Sequence, residues 1–274
     1  MAKAIKHIRA GMLNIEIIGN IPEQSPGCRH RGTRSKPTSA AQQFYNHKMS
    51  WRELELLIAA NFGSKDYFLT FTYDNEHLPE NKEEAAACFK KFLRRLRDTR
   101  SRRKEDLYYL YVTEGYHGSM EDEYFGADRE LEDKRLHHHV LLNSVGPGDL
   151  EEYRSLWPYG GYLRAEPVDV HYYQELARYM TKEAREFGRA KPGEHTWRGS
   201  RNLKKPEVEY IEIPTDSVTL TPPPDAVDYH QFHEKNPYGF ADCIGARYLT
   251  YAAPLVQMYS YNRPRRSNRP PNNF

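Results

Sequence analysis

Cysteine is scarce in this chain: Cys28, Cys88 and Cys243 are the only three among 274 residues, scattered and without paired spacing. They make neither a disulfide framework nor a zinc knuckle, a usage expected of a reducing cytoplasm, here that of a bacterial cell or a phage-infected host. Long apolar runs are missing as well. No stretch approaches the roughly 18 residues that span a bilayer, so no membrane partner is expected. The opening MAKAIKHIRAGMLNIEIIGN is broken by Asn14 and Glu16 and has no small-residue cleavage site, so it is not expected to be a secretion signal. Charge of one sign is not in excess either, with 40 Lys+Arg against 38 Asp+Glu and a formal net charge of +2. Binding of nucleic acid by bulk charge is thereby excluded, and any such binding must come from local clusters. No GxxxxGK[ST] loop and no repeat of fixed period occur, so neither an ATP-driven motor nor a solenoid is expected.

What the chain does have is aromatic residues, 21 Tyr and 11 Phe, enough to close a core although only 38% of residues are hydrophobic. A mean hydropathy of −0.88 implies that part of it is solvated. Ser50 followed by Glu53 reads as a capping box opening a helix that stops at Gly63. YFLTFTYD (67–74) is β-branched and aromatic, a strand. Residues 83–100 return to helix with Phe89, Phe92, Leu93 and Leu96 on one face. Strands are expected at 107–115, 135–143 and 161–170, the last as a third central strand, with helices at 150–157 and 171–187. The acidic stretch 117–134 reads as a hairpin insertion or loop. The result is an α+β fold, one sheet with helices packed on it. Residues 1–48 read as an N-terminal extension, 49–190 as a catalytic domain, and 191–274 as a basic, proline-rich extension.

Three consecutive histidines stand out. On a strand, alternate residues share a face, so His137 and His139 project together and His138 the other way. Two imidazoles side by side make half of a divalent-metal site, or else an exposed histidine-rich strand. Glu114 ends YLYVTE, and if the two strands pair across 117–134 it reaches the same face; otherwise it is a carboxylate at a strand end. On the last helix Tyr179, Lys182 and Glu183 fall at i, i+3 and i+4. The opposite face carries Tyr173, Leu176, Met180, Ala184 and Phe187, the core stripe. A free phenol has a pKa of about 10, and a neighbouring cation favours its phenolate. Residues 89–104 hold nine Lys/Arg against one Asp, either a solvated face or a surface for an anionic partner.

FLTFTY, then a histidine pair on a strand, then Tyr-x-x-Lys on a helix: in this order and combination the chain resembles the HUH endonucleases. More narrowly it resembles the rolling-circle replication initiators of plasmids and phages, over roughly residues 66–190. Softer likeness extends to KPTSAAQ (36–42) and SRNLKKP (200–206). The resemblance implies a ferredoxin-like core with a central antiparallel sheet, and Mg²⁺ or Mn²⁺ held by Glu114, His137 and His139, with Glu183 added in several such families. It implies Tyr179 as the nucleophile that cuts single-stranded origin DNA, leaving a 5′-phosphotyrosine and a free 3′-hydroxyl, with Lys182 balancing charge. Tyr172 is a possible second nucleophile. DNA contacts would fall on Arg94, Arg95, Arg102 and Arg103 and on Arg201, Lys204 and Lys205. A host helicase and polymerase would be partners. Two departures stand: the middle of the histidine motif, usually bulky and apolar, is His138, and the insertion before His137 is long. The rivals are a relaxase, in which the tyrosine normally precedes the histidines; a single-tyrosine transposase, usually shorter; and a non-enzymatic DNA-binding protein with a structural histidine cluster.

Overall fold

The computed structural model describes residues 3–20, 40–115, 135–182, 197–213, 219–234 and 243–251. They cluster in two compact units, the first within 1–61, 170–178 and 204–254, the second within 62–169 and 179–203. The fold is α+β, with two antiparallel five-stranded sheets and four α-helices. None of the described helices is long and apolar enough to cross a membrane.

In the first unit, β1 (Lys3–Ala10) and β2 (Leu13–Asn20) form a hairpin. Gly11 turns it at φ +58°, and a Cβ there would meet the Ala59 carbonyl oxygen at 2.3 Å. Strands β8 (Glu207–Ile213), β9 (Ala226–Glu234) and β10 (Cys243–Thr250) complete the order β8-β1-β2-β10-β9. Residues expected to form two terminal extensions thus pair with each other in a second sheet that the reading of one sheet did not foresee. Helix α1 (Ala40–Asn61) packs on β1 and β2. It starts ten residues before Ser50, so the Ser50–Glu53 pair lies inside the helix and does not cap it. AAQQFYNHKM holds no glycine or proline, and nothing in it breaks the helix upstream of Ser50.

The second unit carries β3 (Tyr67–Thr72), β4 (Tyr109–Glu114), β5 (His137–Leu142), β6 (Leu163–Pro167) and β7 (Arg198–Gly199), in the order β6-β3-β5-β4-β7. The expected third central strand is therefore an edge. It alternates Arg164 and Glu166 outward and ends at Pro167, as edges tolerate. Helix α2 (Lys82–Arg102) is capped by the Asn81 side chain, which accepts from the Glu84 N–H at 2.8 Å. Its Ala85, Phe89, Phe92, Leu93 and Leu96 bury one face against Leu69, Phe71, Val140 and Leu142. Tyr153 of helix α3 (Asp149–Leu156) and Trp157 join this core, so the two helices cover one face of the sheet. Burial of that apolar area is the main stabilising force here. The chain then makes a 3₁₀ turn (Val170–Tyr172) before α4 (Tyr173–Met180), so Tyr172 does not share a helix with Tyr179. The insertion 117–134 and residues Glu183, Ala184 and Phe187 lie outside the described residues.

Candidate active site

The face of the second sheet opposite α2 and α3 is set by strand alternation. β3 and β4 both pair antiparallel with β5, in registers that oppose Thr70 to His139, Thr72 to His137 and Glu114 to His137. Directly opposed residues point the same way, so Glu114, His137, His139, Thr70 and Thr72 share this face. Gly115 follows Glu114 at φ +94°, which ends the strand there. Glu114 Oε2 lies 3.6 Å from His139 Nε2 and 3.9 Å from His137 Nε2.

Both imidazoles are aimed by their other nitrogen. His137 Nδ1 is 2.7 Å from the Arg135 carbonyl oxygen, which only accepts, so Nδ1 carries the proton and the Nε2 lone pair faces the site. His139 Nδ1 is 3.1 Å from Thr70 Oγ1, and its ring stacks on Phe68 at 5.6 Å between centroids. The two Nε2 atoms stand 3.1 Å apart. Burial first, then the positive charges of His137 and Lys182, hold the His139 pKa well below its usual value, which leaves it a neutral donor. One ligand atom from each of Glu114, His137 and His139 lies within 4.8 Å of the others, a group that could hold a metal ion. Two neutral nitrogens and a carboxylate converging this closely suit a divalent cation, which would relieve the repulsion between their lone pairs.

Tyr179 and Lys182 meet this group. The Tyr179 hydroxyl lies 3.2 Å from His139 Nε2, and its ring packs edge-on against Phe68. Lys182 Nζ stands 3.8 Å from the Tyr179 ring centroid and 3.4 Å from Glu114 Oε2. Desolvation, the largest influence on this ammonium, lowers its pKa, but the attractions of Glu114 and Tyr179 outweigh it and the net shift is upward. Lys182 is a fixed cation beside the phenol.

His138 points into the core and fills the place that the resemblance gives to a bulky apolar residue. Its ring stacks on Phe89 at 4.5 Å. Thr113 Oγ1 is 2.9 Å from Nδ1, Nε2 is 2.6 Å from the Tyr73 hydroxyl, and that hydroxyl donates to the Ala85 carbonyl at 3.2 Å. A neutral imidazole satisfies this chain, and burial pushes its pKa down to about 3.

The basic positions divide. Arg94, Arg95, Arg201, Lys204 and Lys205 are exposed. Arg102 donates to the Asp98 carbonyl of its own helix. Arg103 is held by Glu105 at 2.8 Å and Glu152 at 2.6 Å. Arg100, counted among the nine, is fully buried. Sequence reasoning missed Thr70, Phe68 and the Arg135 carbonyl, which aim the histidines. The two side chains lay within reach of the strand register, Thr70 and Phe68 being two residues apart on one strand face.

Residues 66–184 match the model of a family described as replication-associated protein, ORF2 type. No curated protein and no solved structure matches the chain.

Proposed function

From the premise that residues 66–184 match the replication-associated protein family, we propose that the chain is a rolling-circle replication initiator that nicks and rejoins single-stranded origin DNA. The observation that carries this reading is the Tyr179 hydroxyl 3.2 Å from His139 Nε2, with Lys182 beside its ring. The phenol oxygen attacks the scissile phosphorus and gives up its proton. The bond from phosphorus to the 3′ oxygen breaks, and that oxygen takes a proton to become a 3′-hydroxyl primer. Phosphotyrosine keeps the ester bond, so the reverse attack rejoins the ends. Lys182 balances the charge of the phosphate and of the phenolate. Phe68 and His139 hold the Tyr179 ring against the sheet, which fixes the direction of attack. Glu114, His137 and His139 would hold Mg²⁺ or Mn²⁺, with Glu183 next to Lys182 as a further carboxylate; when bound, the ion polarises the scissile phosphate. A host helicase would open the duplex and a host polymerase would extend the primer.

The test is cleavage of single-stranded DNA tiled from the protein's own replicon, with Mn²⁺ or with EDTA, read on denaturing gels for a protein–DNA adduct. The expected result is a metal-dependent adduct lost in Tyr179→Phe. An adduct that survives this substitution moves the nucleophile to Tyr172 or another tyrosine. No adduct on any tile, with salt-sensitive binding kept, favours a non-enzymatic DNA-binding protein.

A further inference from the structure

Tyr162 has the largest exposed fraction of any large hydrophobic side chain among the described residues, 67%, yet its backbone is among the most tightly held. Its N–H donates to Thr72 Oγ1, and its carbonyl accepts from the Thr72 N–H at 3.1 Å. The Trp157 indole N–H bonds both the Thr72 and Gly160 carbonyls, at 3.0 and 3.1 Å. Gly160 and Gly161 turn the chain at φ +63° and +72°. A Cβ at the first would meet the Asp74 carboxylate at 1.8 Å and at the second the Thr72 carbonyl oxygen at 2.4 Å. An exposed aromatic ring on a fixed backbone loses little conformational freedom on binding.

Its direction is set by the sheet. Leu163 packs into the core, so Tyr162 and Arg164 point to the opposite face, that of Glu114, His137 and His139. Thr72 opposes His137, and Tyr162 pairs with Thr72, so Tyr162 ends the cross-strand row that runs through Thr72 and His137 to Glu114. Two strand spacings separate it from His137, roughly 10 Å. Arg164 opposes Thr70 in the row of His139, and its charge is felt at that imidazole. It pairs with Glu166 on the same face, and its side chain is 57% exposed.

We infer that Tyr162 and Arg164 form a nucleotide subsite beside the nicking centre: a base of the single strand stacks on the Tyr162 ring while Arg164 pairs with the adjoining phosphate. This rests on the proposed DNA-nicking function and adds to it the side of the sheet along which the strand leaves the site. Stacking on an aromatic face is tolerant of sequence, so the subsite holds the strand without choosing the base. A flat ring and a cation displayed together, on the open edge of the face that carries the nucleophile, suit a flexible single strand.

The test is equilibrium binding of a fluorescent oligothymidylate to the full chain in a Tyr179→Phe background. Tyr162→Leu is expected to weaken binding about tenfold, whereas Tyr162→Phe stays within about twofold. Tyr162→Trp is expected to show tryptophan emission quenched on adding the oligonucleotide, beyond any change in the parent. Arg164→Gln is expected to lower the slope of log K against log salt by about 0.7. Equal affinity of Tyr162→Leu and its parent, or no added quenching in Tyr162→Trp, overturns the inference. The adduct assay separates this outcome from failure of the underlying reading. An adduct lost in Tyr179→Phe together with unchanged binding by Tyr162→Leu removes the subsite alone. No adduct together with weakened binding by Tyr162→Leu removes the nicking reaction and keeps the platform.

Discussion

Strand alternation gives three consecutive histidines two different tasks. His137 and His139 turn their Nε2 atoms to Glu114, while His138 is sealed under Phe89 and Trp157 with both nitrogens bonded to hydroxyls. Because folded His138 has a pKa of about 3 against an ordinary 6.5, the unfolded chain binds a proton between those values that the folded chain refuses. Stability therefore falls as pH drops through this window, and the contribution is fully present above it. The groups facing the ring are Tyr73 and Thr113, with His137 the charge acting on it. His138→Phe fills the space and removes the titration. Urea unfolding in EDTA is expected to show the wild type's advantage over His138→Phe shrinking by on the order of 2 kcal/mol from about pH 7 to about pH 5. A constant difference would mean that the folded ring protonates normally. The other two histidines predict a separate effect. Saturating Mn²⁺, at about a hundred times its Kd, is expected to raise the Tm of the wild type by roughly 5–10 °C. Glu114→Gln and His139→Ala are expected to lose this shift while His138→Phe keeps it, as differential scanning fluorimetry would show.

Helices α2 and α3 and the end of β5 are joined through one side chain. Arg100 donates to the Asn143 carbonyl at 2.9 Å and to its Oδ1 at 2.8 Å, and to the Tyr153 hydroxyl at 2.7 Å, and lies 3.6 Å from Asp149. Removing one partner of a buried charge group leaves the rest uncompensated, so Arg100→Met is expected to cost about 3 kcal/mol. Arg97→Met, on the exposed side of the same helix, is expected to cost about 0.5 kcal/mol or less. Equal chemical-denaturation midpoints for the two would show that Arg100 ties nothing together. This position was legible in the sequence and was not read. Arg100 falls four residues after Leu96, on the stripe of Phe89, Phe92 and Leu93, but an arginine inside a basic run reads as surface. Pattern found α2, β3, β4 and β5 because each buries a full periodic face. It misplaced β6, whose edge position depends on which strands pair and not on its own residues.

Across the whole molecule, the chemistry was more readable than the assembly. Glu114, His137, His139, Tyr179 and Lys182 announce themselves by residue type and by spacing within single elements, and the structure brings all five together. The second sheet was hidden because β1 and β2 find their partners in β8 and β10, about 190 or more residues along the chain, and periodicity does not name a partner. Tyr162 and Arg164 were hidden because their exposure depends on a glycine turn clasped by Trp157 and Thr72. With a net charge of only +2, DNA affinity has to come from charges that are both exposed and not already committed to carboxylates. Arg94 and Arg95 are exposed on α2, whereas Arg103 is clamped by Glu105 and Glu152. Each phosphate contact to a single strand contributes about 0.7 to the slope of log K against log salt. Arg94→Gln with Arg95→Gln is therefore expected to reduce that slope by about 1.4, and Arg103→Gln to leave it within about 0.3 of wild type. A titration of single-stranded DNA binding against salt checks both. A fall in slope for Arg103→Gln as large as for the double variant would mean that DNA displaces the carboxylates, placing the contact surface at the α2–α3 end of the unit instead of along α2.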